Sequence, residues 1–467
     1  MTNYVSSDVR QHATHEELVG RDDSPVPSQA RTLDAIIVPA SRPAANLDHA
    51  VTLARAARSH LVVLCSREAN AHAVHELLAA RSFTRASVIR VPTGYHHRWL
   101  KFDTSRIAGL GLPDACAARD SDLSMKRNIG LLIARMCGWE SVFFMDDDIR
   151  DVNSSDLHRT VAMLGSYNTA GMRVSSFPDN SVVCHAHRET GAFQDVSVSG
   201  SALAVACTAP IGFFPDIYNE DWLFFYHDIE ARQLGSSGLN ATQLRYDPFK
   251  DPQRAAGQEF GDVLAEGLYA LLHQGAGAAQ ATRDYWVEFL DARRRFLDAI
   301  IVRSAELQGQ LHEKIFDSVS AAQKSLTEIQ PELCERYVTL WLKDRHRWLQ
   351  RLEHIRRMPS IEEALRRLNL SPANNVHAQW TRQIHAEMPV TGSPGPAPIP
   401  TVATVDGQQE ESAAPRDSSA AASSPAARLS TVSRVSTFVT GRSTLALALL
   451  PQMLQRQQRR SRDNVSP

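Results

Sequence analysis

The stretch Trp139–Val152, WESVFFMDDDIRDV, decides how the rest of the chain is read. Its apolar run from Val142 to Met145 has the length and β-rich character of a buried strand, and it stops at Asp146, Asp147 and Asp148. In an open α/β sheet, ligands bind outside the carboxyl ends of the strands. Three carboxylates concentrated there repel one another unless cations balance them. The alternate members, Asp146 and Asp148, are spaced to offer oxygen to one hard divalent ion, Mg²⁺ or Mn²⁺, beside a diphosphate. The plainer alternative is a solvated acidic turn that caps the next helix.

On the N-terminal side, short apolar runs alternate with helical patterns. Leu33–Ser41 (LDAIIVPAS) and His60–Ser66 (HLVVLCS) read as parallel-sheet strands, and Ser87–Pro92 (SVIRVP) as a weaker third. Asn46–Arg58 between the first two has apolar residues at helical spacing, and Met125–Trp139 reads as a helix feeding the strand before the triplet. Strands alternating with helices imply βαβ crossovers, so the expected fold is α/β, with a mostly parallel sheet and helices on both faces.

On the C-terminal side the pattern changes twice. From about Leu264 to Leu370 the strand signal gives way to helical periodicity, with Pro331, Pro359 and Pro372 where helices should begin or stop. Trp286, Trp341 and Trp348 fall on apolar stripes there and are expected in the core. Beyond it the chain is rich in Pro, Ala and Ser; seven prolines between Glu387 and Arg428 leave no room for a packed element. The expected organisation is a flexible leader over 1–30, a catalytic α/β domain over 31–265, a helical domain over 266–372 and a disordered tail over 373–467. The tail's basic end, with Arg456, Arg459, Arg460 and Arg462, suggests at most weak peripheral contact with an anionic membrane.

The 467 residues carry 50 Lys and Arg against 52 Asp and Glu, which argues against a nucleic-acid binder. Six scattered cysteines with no C-x-x-C pair, no apolar leader and no apolar run of spanning length point to a cytoplasmic protein without a transmembrane segment. The G-x-x-x-x-G-K-[ST] phosphate cradle of P-loop enzymes is missing, and AIIVPASRPAAN after the first strand holds no glycine, which excludes a dinucleotide fingerprint. A metal-bridged diphosphate remains, as in nucleotidyl transfer or sugar transfer.

Three segments in this order, Ala35–Pro43 (AIIVPASRP), Lys126–Ile149 (KRNIGLLIARMCGWESVFFMDDDI) and Ser199–Gly235 (SGSALAVACTAPIGFFPDIYNEDWLFFYHDIEARQLG), resemble the glycosyltransferases of the GT-A fold, closest to family 2. The resemblance covers about Leu33 to Leu268. It implies that Pro39, Ser41 and Arg42 meet the donor nucleotide, and that Lys126, Arg127 and Asn128 face the donor from a helix start. Glu68 stands near the place where the family shows an aspartate for the base. Asp146 and Asp148 match the metal-binding motif, with Asp147 nearer the sugar, and Gly200 and Ser201 match a loop beneath the acceptor. Glu220 and Asp221 match the acidic pair whose aspartate is the usual general base. The implied activity is metal-dependent, inverting sugar transfer from a UDP- or GDP-sugar to an acceptor hydroxyl. The family's additional histidine ligand has no counterpart, leaving Asp247, Asp251, His227 and His273 as substitutes. His185 and His187 have the spacing of a same-face pair on a strand and are expected to border the acceptor or face solvent. A nucleotidyltransferase, and a catalytically degenerate scaffold acting through its helices, are the alternatives. Donor sugar, acceptor and oligomeric state are not legible.

Overall fold

The strand that ends at the triplet lies inside a nine-stranded sheet. A computed structural model describes residues 15–21, 32–106, 111–117, 121–174, 180–193 and 198–372. The expected disordered tail with its basic end, and most of the leader, lie outside the described residues.

In chain order the strands are β1 (Gly20–Arg21), β2 (Ala35–Ala40), β3 (His60–Cys65), β4 (Ala86–Arg90), β5 (Ser141–Met145), β6 (Ile149–Arg150), β7 (Thr169–Val174), β8 (Val198–Ala206) and β9 (Leu234–Gln243). They lie in the order β1-β9-β7-β8-β5-β2-β3-β4, with β6 on β9. β8 is antiparallel to β5 and β7, and β6 to β9; the other pairings are parallel. Every residue of β2, β5 and β8 is buried, which explains their unbroken apolar runs. Pro39 is tolerated in β2 because pairing with β5 covers only Ala35–Ile37.

The helices are α1 (Asp48–Ala56), α2 (Ala71–Ala80), α3 (Asp114–Ala117), α4 (Leu123–Cys137), α5 (Ser154–Ala162), α6 (Val182–Glu189), α7 (Glu220–Glu230), α8 (Pro252–His273), α9 (Arg283–Ser304), α10 (Gln310–Glu328), α11 (Pro331–His354) and α12 (Ile361–Arg367). α1, α2 and α5 cover one sheet face, and α4 with α6 to α12 covers the other. The fold is therefore α/β, mostly parallel, with both faces covered. α4 packs closely: a Cβ at Gly130 would stand 3.0 Å from both Ile37 and Phe144, so glycine sets the helix-to-sheet distance. No helix among the described residues is long and apolar enough to cross a membrane.

The C-terminal helices share one hydrophobic core with the sheet face they cover. α8 runs through the expected boundary at 265–266, and Asp251 with Pro252 supplies its N-cap and first turn. Trp286, Trp341 and Trp348 are fully buried, as expected of core residues. α11 also holds the connection from β4 to α4: buried Asp344 accepts from Asp103 N at 2.9 Å, Thr104 N at 2.8 Å and Thr104 Oγ1 at 2.8 Å.

Residues 15–21 depart from the expected flexible leader. β1 pairs with β9, and His15 is fully buried, its Nε2 2.9 Å from Val198 O and its ring 5.0 Å from Trp222. Burial lowers the His15 pKa from 6.5 to about 4, against the opposing hydrogen bond to Val198. The unfolded chain thus takes a proton below pH 6.5 that the folded chain refuses until about pH 4, and acid favours unfolding in that window. We predict that His15→Phe loses about 2 kcal/mol less stability between pH 7 and pH 5 than wild type does. Denaturant unfolding at the two pH values checks this.

Candidate active site

A cleft of about 840 Å³ opens at the carboxyl ends of β2 and β5. The loop after β2 forms one wall, the first turn of α4 its floor, and the starts of α7 and α8 with the end of β9 close the other side. This is the place that strand polarity assigns to a ligand.

All three triplet aspartates line the cleft, and each meets an arginine. Asp146 accepts from Arg127 Nη2 at 3.0 and 2.9 Å. Asp147 is 2% exposed and accepts from Ser41 N at 2.7 Å, Arg42 N at 2.8 Å and the Arg42 guanidinium. Asp148 pairs with Arg42 Nη2 at 2.7 Å and accepts from Gln243 Nε2 at 3.2 Å. Asp147 therefore points back to pin the β2 loop, which corrects its expected place beside the sugar. Burial works against the charge on Arg42, but Asp148 and Asp147 outweigh it and raise its pKa. With its side chain 46% exposed, Arg42 has room to move.

The residues expected to face the donor divide. Pro39, Ser41 and Arg42 line the cleft, as does Arg67 beyond β3. Lys126 reaches its inner end but is 1% exposed, with its ammonium on Ala40 O (3.0 Å), Ser66 Oγ (3.0 Å) and Asp122 (2.9 Å). It ties the ends of β2 and β3 together, and its three donors are committed. Asn128 is not on the cleft at all; it exchanges hydrogen bonds with the backbone of Phe214. Glu68 is exposed away from the cleft lining, and its backbone N–H donates to Ser41 O.

Arg127 joins the two acidic motifs. It is 2% exposed and spans from Asp146 to Glu220, whose Oε1 lies 2.9 Å from Nη1. Burial opposes its charge, yet Asp146 and then Glu220 prevail and push its pKa up. Glu220 is consequently buried and committed to Arg127. Asp221 lines the cleft, its Oδ2 accepting from Gly200 N at 2.8 Å and its Oδ1 from Trp222 N at 2.9 Å. Asn219 starts this turn in the left-handed region at φ 61°, which asparagine tolerates, and donates from Nδ2 to Asp262 at 2.9 Å.

Gly200 and Ser201 belong to strand β8, and neither lines the cleft, which corrects the expected loop beneath the acceptor. Their role is support: Ser201 O accepts from Asp146 N, and Gly200 stands directly behind Asp221. A Cβ at Gly200 would lie 2.7 Å from Asp221 Cβ and 2.9 Å from Arg127 Nη1. Gly200→Val is therefore expected to displace Asp221 and to cost about 1–3 kcal/mol of stability through overpacking. Urea unfolding and turnover of the same variant measure the two effects.

A divalent ion was expected at Asp146 and Asp148. Among the described residues no three His, Cys, Asp or Glu side chains are grouped to hold a metal. The further hard donor on this side of the cleft is an amide oxygen. Gln243, 8% exposed at the end of β9, lines the cleft, and its buried Oε1 has no hydrogen-bond partner among the described residues. Two carboxylates and an orphaned amide oxygen form a hard donor set of the kind Mg²⁺ and Mn²⁺ accept together with substrate phosphates. An ion at Asp146 and Asp148 would displace Arg42 from Asp148 and share Asp146 with Arg127.

Of the four substitutes for a histidine ligand, only Asp251 touches the cleft, and it caps α8. Asp247 pairs with Lys314 at 2.7 Å, His227 stacks on Trp341, and His273 lies near Glu17. His185 and His187 sit on helix α6, so their spacing of two does not give a shared face. Burial, reinforced by nearby arginines, lowers their pKa values to about 3 and about 4, so both are neutral rings in the packing. Ser181, whose side chain accepts from Cys184 N, was the sequence signal for that helix.

The chain matches no protein-family model, and no curated protein is similar to it in sequence.

Proposed function

We propose that the chain is a nucleotide-sugar-dependent glycosyltransferase of the GT-A type, moving a hexosyl group from a UDP- or GDP-sugar to an acceptor hydroxyl with inversion. One observation carries the reading: Arg127 links the strand-end Asp146 to Glu220, so the diphosphate-type site and Asp221 share one cleft. Its volume of about 840 Å³ is in the usual range for a site enclosing one such ligand.

The chemistry follows from the walls. The β2 loop, fixed by Asp147, receives the nucleoside. Arg42 and Arg127 stand where the diphosphate would lie, and planar guanidinium groups suit its oxygens. A divalent ion held by Asp146, Asp148 and Gln243 would supply further positive charge against the departing diphosphate. Asp221 takes the acceptor proton as the acceptor oxygen bonds to the anomeric carbon and the carbon–phosphate oxygen bond breaks, its electrons leaving with the diphosphate. Two backbone N–H groups, of Gly200 and Trp222, orient Asp221 on the cleft wall. A single positioned base fits inversion. A nucleotidyltransferase is the weaker reading, because the loop after β2 contains no glycine to let a triphosphate approach its backbone. Six free cysteines support a reducing, cytoplasmic setting.

Thermal unfolding with UDP, GDP and their sugars, with and without Mn²⁺, tests the site. A ligand bound only by the native state raises its stability. Stabilisation that needs both nucleotide and metal supports the reading, and silence toward every nucleotide favours a scaffold.

A further inference from the structure

We propose that a second recess beside the cleft binds an anionic group, a phosphate or a carboxylate, on the sugar acceptor. The recess holds about 650 Å³ and follows β9, lined by Leu244, Arg245, Tyr246, Pro248 and Lys250. It meets the cleft at Arg42, Gln243, Asp251 and Arg254, which line both. The role of acceptor rests on the proposed transferase reading, in which the cleft alone houses the donor. The recess is then space for a second substrate.

Its charge is one-sided. Of its acids, Asp247 is neutralised by Lys314 from α10, which with its hydrogen bond holds the Asp247 pKa down, and Asp251 is spent on capping α8. Among the described residues no ion pair engages Arg245, Lys250 or Arg254. Three cations therefore face a cavity against one acid that is already hydrogen-bonded, an arrangement that draws an anion. The remaining wall is apolar and aromatic. Leu244 is 42% exposed, one of few large hydrophobic side chains so placed among the described residues. The Arg254 guanidinium lies 4.3 Å from the Tyr246 ring centroid, and its Nη2 donates to the Tyr246 hydroxyl at 3.1 Å. The His185 ring lies T-shaped to Tyr246 with centroids 6.0 Å apart. An apolar and aromatic wall beside fixed positive charge suits a sugar carrying an acidic substituent.

Calorimetric titration of the full chain with glucose 6-phosphate, glucuronate, inorganic phosphate and glucose tests this, with and without saturating nucleoside diphosphate and Mn²⁺. The variants are Arg245→Gln and Lys250→Gln, exposed residues that line only the recess. Expected is binding of charged probes that survives nucleotide saturation, at least about tenfold tighter than glucose, and weakened about tenfold by either variant. Glucose 6-phosphate above glucuronate identifies a phosphate, and the reverse order a carboxylate. The proposal is overturned if glucose binds as well as the charged sugars, or if no charged probe binds. It is equally overturned if the variants weaken the nucleotide instead, since the cations would then serve the donor. Charged probes that bind while every nucleotide is silent would keep the recess and remove the transferase reading.

Discussion

Asp221→Asn is expected to lower kcat by about 10²–10⁴-fold while leaving donor affinity close to wild type. A sugar hydroxyl is a poor nucleophile at neutral pH, so the carboxylate that accepts its proton acts chiefly in the transition state. An interaction confined to the transition state shows in kcat rather than in ground-state binding. The substitution keeps size and shape but removes the negative charge, and it sets an amide against the Gly200 and Trp222 N–H donors. Its cost to folding is small because Asp221 is only partly buried and its contacts are local. Steady-state kinetics beside nucleotide titration separates the two effects. Loss of nucleotide binding with unchanged kcat would assign Asp221 to the donor.

Arg127→Met is expected to be more damaging, and differently. Arg127 is fully enclosed, holding Asp146 with one nitrogen and Glu220 with the other. Methionine keeps much of the volume but leaves two adjacent carboxylates without their cation. Removing one partner of a buried pair typically costs about 3–5 kcal/mol, because the charge left behind has lost both water and counter-ion. We therefore expect a stability loss of that order in urea unfolding, together with loss of nucleotide binding. Arg127→Lys recovers little of either, since a point-like ammonium cannot replace a fork that serves two carboxylates. A second substitution, Glu220→Gln, removes one of the orphaned charges and is expected to restore part of the stability of Arg127→Met but not its nucleotide binding.

What could be read from sequence follows burial pattern. β2, β3 and β5 are covered on both faces and show continuous apolar runs; α9 to α12 are long and amphipathic, and their tryptophans pack where their stripes place them. β9 was opaque because Leu234–Gln243 is rich in Ser, Gly and Asn and only partly buried, held by its neighbours rather than by its own preference. β1 is two residues long, too short for any period. The acidic motifs were legible as local sequence, but their coupling through Arg127 was not, since it joins residues 93 apart. Lys126 and Asn128 illustrate the same limit: polar residues beside a ligand-type motif proved to tie strand ends and a loop. Gln243 carries no motif, and only the fold brings its amide nitrogen to Asp148 and leaves its amide oxygen buried without a partner among the described residues.

The central claim is transfer chemistry at this cleft, and release of nucleoside diphosphate measures it most directly. Purified chain with Mn²⁺ and a panel of UDP- and GDP-sugars, each with charged and neutral sugar acceptors, is predicted to release UDP or GDP from at least one donor. Asp146→Ala and Asp221→Asn are predicted to release little. No release from any donor, or release by Asp146→Ala equal to wild type, would contradict the account.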